Sequence, residues 1–189
     1  FTLFPSATAE LPDYLITKED WDARWNDFGN LNTNVSITPG ADETKLNFAW
    51  HAPAGAVAPV VKLSRSADMG QPRVFSGYLT DSYDGYKTCR VIVSGIEANT
   101  TYYYTYGTGN LVYGPYLYRS LGFDNFKFLY INDMHAGYNE DNPAVGRDKA
   151  YKIHRTLYDA VTKNPGISFM IAGGDQTDSG QRPEEWNGL

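Results

Sequence analysis

The chain has 189 residues, 42% of them hydrophobic and 20% charged, which supplies enough apolar material for a packed core and argues against global disorder. A net charge of −6 speaks against a nucleic-acid binder working through a basic face. One cysteine, Cys89, excludes an internal disulfide framework and any CxxC metal site, and the three histidines, His51, His135 and His154, cap any histidine-rich one.

Residues 1–14 read as an irregular, proline-containing lead-in, and the start on Phe1 leads us to expect a processed or trimmed N-terminus. Residues 17–28 read as a helix, with Thr17 as N-cap, Asp20 three residues on, and Gly29 as the stop. Trp21, Trp25 and Phe28 share one face of it and are expected to pack on a neighbouring domain.

From Thr33 to Arg119 the texture changes. Short β-rich runs recur at 33–38, 44–50, 58–64, 73–79, 87–94, 100–106 and 111–119, separated by turn signals. Residues 45–50 alternate polar and apolar, the period of a half-buried strand. Seven such runs predict an antiparallel β-sandwich over 33–120. Residues 121–125 read as a linker.

Beyond the linker, 126–131 and 167–172 are continuous apolar-rich runs, expected to be strands covered on both faces. Both are far too short to span a bilayer. Between them 147–163 keeps helical spacing at Ala150, Ile153, Leu157 and Val161, and Asn164-Pro165-Gly166 ends it. Strand, helix, strand predicts one βαβ unit, the start of an α/β domain over 121–189. Its two strands are parallel, so their C-terminal ends share one sheet edge, where open α/β sheets bind ligands.

Two polar clusters follow those strands: Asp133-Met134-His135 and Asp175-Gln176-Thr177-Asp178. Carboxylates gathered at one edge repel, and a cation resolves the conflict. Mixed Asp and His donors suit zinc, manganese or iron better than calcium. Gly173 and Gly174 would let backbone approach such an ion closely. His154 is expected to be a packed helix histidine, His51 a structural one, and Cys89 a small buried hydrophobe.

Two resemblances follow from these residues. Ile96-Glu97-Ala98-Asn99-Thr100-Thr101-Tyr102 resembles the fibronectin type III turn into a tyrosine corner, with Tyr102 as the corner residue and Trp50 as the core tryptophan; Ala98 departs from the usual proline. Asp133-x-His135 followed by Gly174-Asp175-x-x-Asp178 resembles the first two motifs of the calcineurin-like metallophosphoesterases, and a sandwich N-terminal to them resembles the domain order of purple acid phosphatases.

The second resemblance implies phosphoester hydrolysis at a binuclear centre of divalent or trivalent ions, iron, zinc or manganese. It implies Asp133 and His135 on the first metal, Asp175 bridging both, and Asp178 supporting from outside the metal shell. Purple acid phosphatases carry tyrosine where Asp178 stands and glycine where His135 stands, so the ligands follow the broader family while the domain order follows one branch. The family also needs an Asn-His pair and further histidines, which nothing after Asp178 supplies. We therefore expect a piece of a longer protein, inactive alone, with its catalytic residues beyond Leu189. The implied substrate is a phosphoester small molecule, with no nucleic acid and no membrane span, and the implied location is extracellular or periplasmic. The competing reading is a non-enzymatic fibronectin-like binding or adhesion module. A Gly-Asn-His segment and a later Gly-His-x-His in the reading frame after Leu189 would decide for the enzyme.

Overall fold

The alternation read in 45–50 is the pleat of a real strand. A computed structural model describes residues 17–28, 34–82, 85–136, 143–181 and 185. In it β2 (Leu46–Ala52) buries every second side chain: Leu46, Phe48, Trp50 and Ala52. Around it run β1 (Ser36–Pro39), β3 (Pro59–Ser64), β4 (Arg73–Ser76), β5 (Tyr78–Asp81), β6 (Lys87–Val93), β7 (Thr101–Thr108) and β8 (Leu111–Arg119). They form two antiparallel sheets, ordered β1-β2-β6-β5 and β4-β3-β7-β8. One core lies between them, drawn from Phe48, Trp50, Val61, Leu63, Cys89, Val91, Val93, Tyr102, Tyr104 and Tyr106 among others. Each large side chain so buried contributes about 1.5–3 kcal/mol. The tyrosine corner is formed: the Glu97 amide donates to the Tyr102 hydroxyl at 2.9 Å. The predicted β-sandwich is thus the observed architecture.

The run 73–79 differs from its expectation. It is two strands, β4 and β5, belonging to different sheets, so the described residues of the sandwich form eight strands rather than seven. The switch falls at Gly77, whose amide donates to Pro59 O at 2.9 Å. A Cβ there would lie 1.9 Å from Arg90 O, so only glycine lets the chain pass this close to β6. Periodicity cannot show a sheet change when the strand pattern continues through it.

A second compact unit is built from α1 (Lys18–Phe28) and from the chain after Phe126: β9 (Lys127–Ile131), α2 (Pro143–Lys163) and β10 (Ile167–Ala172). β9 and β10 pair in parallel, Phe128 beside Phe169 and Ile131 beside Ala172. Helix α2 begins four residues before the expected 147, with Pro143 at its first position, where a missing N–H costs nothing. Gly166, at φ +86°, follows its end. Thr17 caps α1 as expected, its hydroxyl oxygen accepting from the Asp20 amide at 3.1 Å. Trp21 of α1 lies on α2: its ring is 5.7 Å from Tyr151 and 5.2 Å from His154, and its indole donates to Arg147 O at 3.1 Å, while the side chain of Phe28 lies outside the described residues. Gly29 lies outside the described residues.

The expectation that both strands are covered on both faces is not met. Phe128 is 49% exposed and Tyr130 58%. A two-stranded sheet joined by a single crossover helix has too few elements to cover both of its faces. The apolar character of the run was real, but its cover is lacking among the described residues of this unit. No helix is long and apolar enough to cross a membrane among the described residues.

Candidate metal centre

The two loops that leave β9 and β10 stay zipped together. Gly173 N donates to Ile131 O at 2.8 Å, Asp133 N to Gly174 O at 3.1 Å, His135 N to Asp175 O at 2.9 Å and Ala136 N to Gln176 O at 2.8 Å. A parallel bridge between Ala136 and Thr177 closes the pairing. The ladder sets Asp133 and His135 beside Asp175 although β9 and β10 have already ended.

Asp133, His135 and Asp175 each offer a donor atom, and the three atoms lie within 4.8 Å of one another. All three residues have positive φ, at 56°, 45° and 46°. Left-handed backbone is uncommon for residues other than glycine, and it clusters at sites where side chains must be aimed against local preference. The interloop hydrogen bonds hold it here.

Asp178 completes the group without joining that set of donors. Its Oδ1 lies 2.9 Å from His135 Nδ1 and its Oδ2 accepts from Lys149 Nζ at 2.6 Å. The first contact leaves His135 Nε2 facing Asp133 Oδ1 at 3.7 Å. Asn132 Nδ2 donates to the other Asp133 oxygen at 2.6 Å. The Asp178 carboxyl is held below the usual carboxylate range, chiefly by the Lys149 hydrogen bond and then, against the opposing cost of partial burial, by His135. Histidine that gives one ring nitrogen to a carboxylate presents the other as a lone-pair donor, the arrangement seen around metal-ligating imidazoles.

The donor chemistry fits a cation. Three evenly spread donors each about 2.1 Å from one ion stand no more than about 3.6 Å apart from one another. The donor atoms here, within 4.8 Å of one another, reach that spacing by closing about 1 Å, a movement that rotation of exposed carboxylate side chains supplies.

The remaining sequence candidates lie elsewhere. His51 is half-buried in the sandwich beside Ser82, and burial lowers its pKa. His154 stacks on Trp21, and Cys89 is fully buried. Of the two glycines before Asp175, Gly173 makes room for a ring: a Cβ there would meet the Tyr130 hydroxyl at 2.0 Å. Gly174, at φ +149°, has open space around it. Sequence reasoning missed two residues. Lys149 shows no signal, because a lysine on a helix surface is ordinary. Glu185 is 2% exposed and accepts the Ser179 amide, anchoring the loop just after Asp178; a charged residue near the end of a sequence carries no mark of burial.

Residues 32–118 match the family model described as "Purple acid Phosphatase, N-terminal domain". The sandwich is similar to that domain. Among solved structures the chain is similar to a purple acid phosphatase from yellow lupin (Lupinus luteus) seeds, at 9% identity and a TM-score of 0.49, over 74% of this chain and 34% of that one. It is also similar to the sensor domain of an anti-sigma factor from Pseudobacteroides cellulosolvens, at 10% identity and a TM-score of 0.32, over 49% of this chain and 98% of that one. The chain thus spans about a third of the length of the lupin enzyme. No curated protein matches it.

Proposed function

We propose that residues 121–189 are the opening part of a metallophosphoesterase domain, carried behind a purple acid phosphatase-type sandwich at 33–120 and an N-terminal extension at 1–32. In this reading Asp133 and His135 hold one metal ion, Asp175 bridges it to a second, and Asp178 orients His135. The observation that carries it is the convergence of Asp133, His135 and Asp175 within 4.8 Å at the end of a parallel strand pair. The family model on the sandwich supports it independently.

A pair of iron, zinc or manganese ions would supply positive charge for phosphoryl oxygens and acidify a water molecule. The chain's own residues give three donors and one supporting carboxylate, fewer than two ions need. The full enzyme's remaining ligands, its substrate (a phosphoester small molecule) and an extracellular or periplasmic location belong to the same proposal.

The test is a zinc titration of the 189-residue chain, followed by calorimetry in every variant and by the His135 ring signals in NMR where that ring is present. Saturable binding that weakens at least about tenfold in Asp175→Asn and in His135→Ala is expected. Equal affinity in the wild type and both variants would overturn the metal assignment. The chain alone is expected to turn over no p-nitrophenyl phosphate, and robust metal-dependent turnover would overturn the incomplete-centre reading.

A further inference from the structure

Lys149 stands outside both motifs, yet it makes one of the two contacts that hold Asp178. The Asp178 carboxylate is engaged at both oxygens, Oδ1 with His135 Nδ1 at 2.9 Å and Oδ2 with Lys149 Nζ at 2.6 Å. A carboxylate with one partner turns freely about its terminal torsion; two partners on opposite oxygens fix its plane. The partner on the Oδ2 side is itself anchored. Arg147 and Asp148, the residues just before Lys149, are tied to α1: Arg147 Nε lies 2.9 Å from Asp22, Lys18 Nζ lies 2.7 Å from Asp148, and Trp21 donates to Arg147 O. From the other direction the buried Glu185 carboxylate holds the Ser179 amide. The loop bearing Asp178 is gripped from two sides, by a braced helix and by a buried acid.

We propose, on the metal reading above, that Lys149 is a positioning residue for the cation site: it locks Asp178 so that His135 keeps its proton on Nδ1 and offers Nε2 to the ion. The line runs from α2 through Lys149 and Asp178 to His135. It links the crossover helix to the loop after β9, which the strand ladder alone does not do. Lys149 also brings a positive charge to a group holding three carboxylates, Asp133, Asp175 and Asp178. A role in stability explains the contact poorly. Lys149 and Asp178 are more than a third exposed, and exposed ion pairs add little to folding.

The experiment compares wild type, Lys149→Met and Lys149→Arg in the 189-residue chain with three readouts. They are the His135 tautomer in the metal-free protein from nitrogen NMR shifts, zinc affinity from titration, and the unfolding temperature. Wild type and Lys149→Arg are expected to hold the Nδ1–H tautomer. Lys149→Met is expected to mix the tautomers and to weaken zinc by about three- to tenfold, below the 10–100-fold typical of losing a direct outer partner of a ligand. All three are expected to unfold at the same temperature. An unchanged tautomer and zinc affinity in Lys149→Met would overturn the proposal. So would equal losses in Met and Arg variants with a lowered unfolding temperature, which would mark a structural role. Should Lys149→Met not fold, Lys149→Gln takes its place under the same criteria. If zinc binds no variant, and Asp175→Asn changes nothing, the metal reading fails; the metal-free tautomer still decides what Lys149 does.

Discussion

The sandwich and the parallel pair are built from strands of similar apolar content but differ in what becomes of it. In the sandwich, Phe48, Val61, Leu63, Val91, Val93, Tyr102 and Tyr104 are essentially sealed, because two antiparallel sheets built from successive strands cover one another. In the βαβ unit, Phe128, Tyr130 and Ile171 stay open, because parallel strands depend on layers contributed from distant segments. The candidate chemistry sits on the less enclosed unit. Its donors are held by loop–loop hydrogen bonds and left-handed backbone rather than by a packed core.

The strongest test of that contrast compares two phenylalanines. Phe48→Ala removes a ring sealed in the sandwich core and is expected to cost about 3–5 kcal/mol in chemical denaturation. Phe128→Ala removes a ring that stacks on Phe169 at 5.8 Å but is half exposed, and is expected to cost less than about 1 kcal/mol. Similar losses at both sites would mean that the parallel pair is covered in solution.

Next in size is the tyrosine corner. Tyr102→Phe leaves the Glu97 amide without its partner in a part-buried site, a loss of about 0.5–1.5 kcal/mol measured by urea unfolding. A neutral result would show that water replaces the hydroxyl, and that the corner is a consequence of the sandwich rather than one of its supports.

Acid separates the elements more gently. The Asp42 carboxyl is lowered to about 2, first by the Lys45 ammonium and then by the Thr44 hydroxyl. Its folded pKa lies below the ordinary 3.8, so the carboxylate stabilises the β1–β2 turn above about pH 4, and that contribution is lost as pH falls through about 2. Asp42→Asn is expected to lower the sandwich unfolding temperature slightly at neutral pH and to flatten its decline between pH 4 and 2. Parallel acid profiles for wild type and variant would remove Asp42 from the account.

The smallest expected signal is chemical. Burial pushes the Cys89 thiol up to about 11. A thiol reagent at neutral pH should label it only as the sandwich unfolds, reporting that unit apart from the other. Rapid labelling of folded protein would show that the core opens locally.

Much of this was legible in advance. Strand periodicity at 45–50 and 90–93, the cap at Thr17, the corner at Tyr102 and the βαβ unit all rest on local pattern, and each matches the structure. Asp133, His135, Asp175 and Asp178 were legible as a group because they follow strands that a right-handed crossover must make parallel. The sheet change at Gly77 was not, since it depends on how close β6 runs. The exposure of Phe128 and Tyr130 was not either, because an apolar run states what a strand can bury and not whether a layer arrives to bury it.

By itself, the sequence determined the kinds of elements, their order and which polar residues leave the parallel strands, since those follow from periodicity, turn chemistry and chain connectivity over a few residues at a time. Only the tertiary structure decided the left-handed aim of Asp133, His135 and Asp175, the reach of Lys149 to Asp178 and the burial of Glu185. Each of those depends on distances between segments far apart in the chain, and no local pattern encodes a distance of that kind.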